Sequence, residues 1–214
     1  GADRSANWSH AMKSLPEFEH RKFRAEARER YGIGLTESLF MASRDGVHFK
    51  RWNDAFLPPG IERPGTWNYG NQYIAWHVVE TESALAGAPN ELSMYAVESY
   101  WTEPGSAVRR YTLRLDGFVS VRAPSTGGEL VTKPIRFTGT QLALNFATSV
   151  AGSVRVEIQD EVGNPLPGFS LADSAPLYGN TVDRTIAWKH GGDLGELAGR
   201  VVRLRFVLVD ADLY

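Results

Sequence analysis

Three stretches of alternation constrain this chain most. Leu142-Ala143-Leu144-Asn145-Phe146, Val154-Arg155-Val156-Glu157-Ile158 and Val202-Arg203-Leu204-Arg205-Phe206-Val207-Leu208 repeat their apolar residues at every second position. Successive side chains of a strand point to opposite faces, so this period sets one face on a core, and a helix cannot satisfy it. Turn-forming clusters separate the stretches: Ala151-Gly152, Val162-Gly163-Asn164-Pro165, Tyr178-Gly179-Asn180 and Gly191-Gly192. The pattern predicts strands over 129–132, 135–137, 141–147, 153–160, 181–188 and 201–209, with a short helical turn over 193–199. Evenly spaced short strands of this kind imply an all-β fold, an antiparallel β-sandwich with jelly-roll character, over residues 123–214.

The preceding region, 32–122, is also strand-like. Segments 35–42, 73–80, 92–100 and 108–115 are rich in β-branched and aromatic residues. Ser43-Arg44-Asp45-Gly46-Val47-His48-Phe49 carries an Asp-Gly hairpin signal, with Phe49 and Trp52 placed to pack between sheets. This hairpin resembles the repeating unit of sugar-handling β-propellers, so the region reads as a propeller-blade-like sheet. Asp116-Gly117 predicts a second turn into 118–121. The loop over 58–70 is long enough to suggest a functional role. Residues 1–31 differ from the rest. Segment 16–30 is rich in helix formers of alternating charge, with Ser14 as N-cap, Pro16 in the first turn and Glu17 in a capping box, and Gly32 and Gly34 stop it. Few of its residues are apolar, which predicts a short solvated surface helix or lid.

Composition excludes several classes. The 214 residues carry a net charge of −2, so nothing favours nucleic acid or an anionic membrane as a partner. No apolar run approaches the roughly 20 residues that span a bilayer. The chain has no cysteine, which removes disulfides, thiolate metal sites and cysteine nucleophiles. His10, His20, His48, His77 and His190 show neither H-x-H nor H-x-x-x-H spacing, and Asp210 and Asp212 alone are too few for calcium, so no metal site is expected. No G-x-G-x-x-G, Walker or G-x-S-x-G pattern occurs, and no cofactor is expected.

Two groups remain as candidates. Glu98, within Tyr95-Ala96-Val97-Glu98-Ser99-Tyr100-Trp101, sits in an aromatic strand that can desolvate a carboxyl and raise its pKa, as a glycosidase acid requires. The same residue also fits an ion pair with Arg109 or Arg110 across a hairpin, and the pattern favours that reading. Asp45 is read as a turn residue. The second group is the run Trp67-Asn68-Tyr69-Gly70-Asn71-Gln72-Tyr73-Ile74-Ala75-Trp76-His77. Sugars stack apolar C–H faces on rings and pair hydroxyls with amides, so Trp67, Asn68, Tyr69, Asn71, Tyr73, Trp76, Tyr100 and Trp101 are the candidate substrate-binding residues. The cluster serves equally well as packing within the fold. Because Trp76 and Ile74 alternate with Tyr73 and Ala75, only one set can face a ligand.

Read in order, S-x-D-G-x-x-F-x-x-W, R-R-Y-T-L-R-L-D-G-F-V-S, T-K-P-I-x-F-x-G, G-S-V-R-V-E-I-Q-D, G-F-S-L-x-D and V-R-L-R-F-x-L-x-D-A-D-L-Y form a series. The series resembles the C-terminal part of bacterial glycoside hydrolase family 32-like proteins, which combine a five-bladed propeller with a β-sandwich. The resemblance runs from about residue 31 to 214. It implies a last blade and sandwich of a longer carbohydrate-active protein, and it favours a secreted or periplasmic location. The family's catalytic motifs W-x-N-D-P-x-G, R-D-P and E-C are missing; Trp52-Asn53-Asp54 is followed by Ala55-Phe56. The resemblance therefore implies a non-catalytic region that supports or contributes to carbohydrate binding. The alternatives are a stand-alone carbohydrate-binding module, a small glycosidase using Glu98, and a structural domain that self-associates through open sheet edges.

Overall fold

The alternation becomes antiparallel sheet. In the computed structural model, which describes residues 3–102 and 105–214, the chain is mostly β, at 40% strand against 12% helix, in the sandwich-like all-β class. It divides into two units, Gly1–Leu113 and Arg114–Tyr214. The composition shift near 122/123 falls inside the second unit, because the strand at Val121–Ala123 pairs with the last strand of the chain.

The first unit begins with three helices, α1 (His10–Lys13), α2 (Phe18–Ala27) and α3 (Glu29–Ile33). Ser9 caps α1 by accepting from the Met12 amide. Glu17, at φ 58°, occupies the N-cap position of α2 in a left-handed conformation and makes no capping bond. The expected solvated helix is corrected here: α2 buries Arg21, Arg24 and Ala25 completely. Its inward face is charged, so an apolar count could not reveal it. Trp8 packs edge-on against Phe18 with ring centroids 5.9 Å apart, and a Cβ on Gly32 would strike both Trp8 and the Arg21 carbonyl.

Strands β1 (Ser38–Ser43) and β2 (Phe49–Leu57) form the Asp-Gly hairpin. Asp45 accepts from the Val47 and His48 amides at 2.9 and 2.8 Å and from the Ser43 hydroxyl, and its other oxygen meets the His48 imidazole. These bonds hold its carboxyl well below the usual range, the state of a turn-forming carboxylate. Trp52 packs against Phe40 at 5.1 Å, whereas Phe49, expected between sheets, is exposed. Strands β3 (Val79–Thr81), β4 (Glu91–Glu98) and β5 (Ala107–Arg114) make a separate three-stranded sheet. The strands between the helices and the second unit thus form a two-stranded and a three-stranded sheet.

The second unit holds β6 (Val121–Ala123), β7 (Gly128–Val131), β8 (Ile135–Arg136), β9 (Ala143–Gln159), β10 (Asn180–Thr185) and β11 (Val201–Leu213). The order is β10–β9–β11–β6, with β7 and β8 also on β11. Two strands expected over 141–147 and 153–160 are one strand of 17 residues. Ala151-Gly152 bends that strand without ending it, because β11 pairs with both of its arms, from Arg203↔Gln159 to Leu213↔Phe146. The register slips between Val209 and Ala211, where Asp210 has a φ of 41°. A Cβ at Gly152 would lie 2.5 Å from the Asp210 carbonyl, so the bulge needs glycine there. The core of this unit gathers Phe146, Val154, Val156, Ile158, Ile186, Trp188, Val202, Phe206 and Leu208. These include most of the even-numbered residues that alternation marked on β9 and β11; Leu144 is also buried there, and Leu204 is only partly buried against this core.

Candidate functional site

The long loop and the turn after β4 build the one place where the candidate residues gather. Segment 72–75 runs beside β4: the Gln72 amide donates to Val97, Val97 donates to Tyr73, and Ala75 donates to Tyr95. Gln72 is therefore turned fully inward and Tyr73, its neighbour, faces out. Four tyrosines and a tryptophan, Tyr31, Tyr69, Tyr73, Tyr100 and Trp101, with Ser106, line an open cavity of about 570 Å³. The Tyr31 ring lies 4.9 Å from Tyr69 and 5.8 Å from Trp101, tilted at 35° and 74°. The rings form a cleft with angled walls. Burial pushes the Tyr73 hydroxyl up, and a hydrogen bond with Tyr69 adds to that effect.

Buried polar groups set these rings in place. Arg21 donates to the carbonyls of Pro16 (3.0 Å), Gly32 (3.2 Å) and Trp67, and Arg24 donates to the Tyr69 carbonyl. One Glu17 oxygen accepts from the Gly65 amide and the Asn68 side chain, both at 2.9 Å. Asn71 donates to the Gly65 carbonyl at 2.7 Å and accepts from the Tyr100 amide at 2.9 Å. His20 meets the Trp101 carbonyl at 2.6 Å. Trp67, Gln72, Ser99 and Trp101 all adopt left-handed φ between 53° and 57°. Such conformations are uncommon outside glycine and persist only where surrounding bonds enforce them. Gly70 has a φ of 92° and lies so close to the Tyr100 ring that a Cβ would sit 2.1 Å from it.

The candidate residues therefore separate into three groups. Tyr69, Tyr73, Tyr100 and Trp101 share the cleft. Asn68 and Asn71 are fully buried and hold the loop, and Trp67 donates its indole N–H to the Gly60 carbonyl at 2.8 Å, so these three support the cleft without lining it. Trp76 is exposed and lies edge-on to His77, away from the other rings. Tyr31, Ser106 and the two buried arginines of α2 were missed. The Arg21/Arg24 spacing of three residues, which puts both on one helix face, is the signal that was available.

Glu98 takes the ion-paired role that the pattern favoured over that of an acid. Its carboxylate is nearly buried and receives Arg63 at 2.8 Å, Arg109 at 2.7 Å and the Tyr111 hydroxyl at 2.7 Å. Burial pushes its pKa up, but the hydrogen bonds from Arg63, Tyr111 and Arg109 outweigh that and pull it down to about 2. The same contact and burial push Tyr111 up to about 12. A carboxylate held ionised by two cations cannot deliver a proton near neutral pH, and Glu98 does not line the cleft. The raised pKa of the less-favoured acid reading is thus corrected, and of the two arginines offered for the favoured pair, Arg109 makes it while Arg110 bonds Glu91. Because the folded pKa lies below the ordinary 4.5, the cluster stabilises the fold fully above about pH 4.5 and loses this contribution as pH falls toward 2. Thermal unfolding followed over that range is expected to show Tm falling with pH, and Glu98→Gln is expected to be less stable at pH 7 with a flatter acid limb.

Among the described residues no three His, Cys, Asp or Glu side chains gather as a metal site requires, and no helix is long and apolar enough to cross a membrane. No family model matches this chain, and comparison with curated proteins and with solved structures finds no significant match.

Proposed function

We propose that this chain is a non-catalytic saccharide-binding region, of the kind that supports a glycoside hydrolase. One observation carries the reading: Tyr31, Tyr69, Tyr73, Tyr100 and Trp101 line a single open cavity. Partly exposed rings offer stacking surface to the C–H face of a sugar, and phenol hydroxyls beside them offer both donors and acceptors to its hydroxyls. The rigid backing of the cleft reduces the ordering cost of binding. The ordered motif series described above supports the same reading. The ionised, doubly paired Glu98 weighs against the small-glycosidase alternative.

Titration of the chain with a panel of oligosaccharides, read by Trp fluorescence and calorimetry, tests the proposal. At least one saccharide is expected to bind, and Trp101→Ala is expected to weaken it by about tenfold or more, since loss of a stacked ring costs about 1–3 kcal/mol by analogy with base stacking. Absence of binding across the panel, or binding that Trp101→Ala leaves unchanged, contradicts it. Turnover of aryl glycosides by the purified chain contradicts its non-catalytic part.

A further inference from the structure

The charge around the cleft narrows the ligand class, if the saccharide reading holds. Among the described residues no carboxylate lines the cavity. Three of its five rings instead carry a guanidinium. Arg30 lies 5.3 Å from the Tyr31 ring centroid and 5.7 Å from that of Tyr69, and Arg24 lies 5.4 Å from that of Trp101. Arg30 is exposed, and among the described residues it makes no ion pair with a carboxylate. Arg24 is wholly buried and donates to the Tyr69 carbonyl, while its Nε and Nη1 have no hydrogen-bond partner; among the described residues no carboxylate lies within ion-pair distance of it, though the Glu17 charge acts on it.

Two consequences follow. An aromatic cage of this shape ordinarily suits a quaternary ammonium, but rings already polarised by guanidinium groups offer a cation little and repel it. A sugar bearing an anionic group gains on both counts: its ring stacks on the aromatic walls, and its charge meets the exposed Arg30 guanidinium beside them. Guanidinium is also the side chain best matched to planar oxyanions. We infer that the cleft binds acidic saccharides, with the sugar ring on the aromatic walls and its anionic substituent paired with Arg30. A uronate carboxylate and a sulfate ester share this chemistry.

The test is calorimetric titration of the intact chain with an oligogalacturonate, its methyl-esterified counterpart, a sulfated galactose oligosaccharide and tetramethylammonium, at low and high salt. An acidic oligosaccharide is expected to bind about tenfold more tightly than the neutral one, with affinity falling as salt rises. The better of the uronate and the sulfate identifies the source of the charge. Arg30→Gln is expected to erase the preference while neutral binding persists, and Arg30→Lys to retain the salt dependence. Matching unfolding curves show that each variant is folded. Equal, salt-insensitive binding of the acidic and neutral oligosaccharides overturns the inference and leaves saccharide binding standing. An acidic preference unchanged in Arg30→Gln, or tighter binding of tetramethylammonium than of any saccharide, also overturns it. Failure of every saccharide to bind removes this inference together with the saccharide reading.

Discussion

Replacing Arg21 by methionine is expected to destabilise the first unit by about 3–5 kcal/mol and to abolish binding in the cleft. Methionine keeps much of the volume and the helix propensity, so the loss isolates the guanidinium. That group alone satisfies the carbonyls of Pro16, Gly32 and Trp67 from one buried position. Each carbonyl left unpaired costs about 1–3 kcal/mol. Relief of repulsion from the neighbouring Arg24, which together with burial pulls Arg21 down to about 10, offsets only part of this. The carbonyl of Trp67 is one of the ties between α2 and the loop that presents Tyr69 and Tyr73. Amide hydrogen exchange across residues 65–75 is therefore expected to accelerate in Arg21→Met, and oligosaccharide titration to go flat. Arg21→Lys is expected to fall between, because a single ammonium cannot reach three carbonyls lying in different directions. Unchanged exchange in that segment would show that the loop holds itself.

Truncating Phe146 to alanine is expected to cost the second unit about 3–5 kcal/mol, the range for a large aromatic removed from a packed core. Phe146 is fully buried, and its neighbours in the core include Val154 and Val156 on the other arm of the same strand. Val150→Thr, four residues along β9, is expected to change stability by less than about 0.5 kcal/mol. Val150 has the same parity as Phe146 but is entirely exposed, because it sits where the bulge opposite Asp210 bends the strand away. Chemical denaturation of both variants, followed by exchange of the β9 and β11 amides, distinguishes the two sites. A comparable loss at Val150 would mean that the bend is covered.

Val150 also shows where sequence legibility stops. Alternation identifies Val154, Val156, Ile158, Val202, Phe206 and Leu208 as core, and they are buried. Val150 falls between the strands expected over 141–147 and 153–160, because the Ala151-Gly152 turn signal does not announce that a continuous strand bends there. That outcome depends on β11 running along both arms. The helical segment failed for a different reason. A stretch as charged as 17–30 reads as solvated, yet Arg21 and Arg24 are buried because carbonyls of a loop some 45 residues away in sequence need donors. At the site, the aromatic residues of 67–76 and 100–101 were visible as types. Their division into walls, supports and the outlying Trp76 was not, since it follows from the inward turn of Gln72 against β4.

The sequence alone determined the all-β class, the Asp-Gly hairpin and most of the second unit's core, because period and turn chemistry are local properties written every few residues. Only the tertiary structure decided that Tyr31 joins Tyr69, Tyr73, Tyr100 and Trp101 in one cleft, that Arg63 and Tyr111 join Arg109 on Glu98, and that two arginines of α2 support the loop. Those outcomes depend on which buried donors and acceptors meet across long stretches of chain. Pairing of buried polar groups is non-local, and it has no period to read.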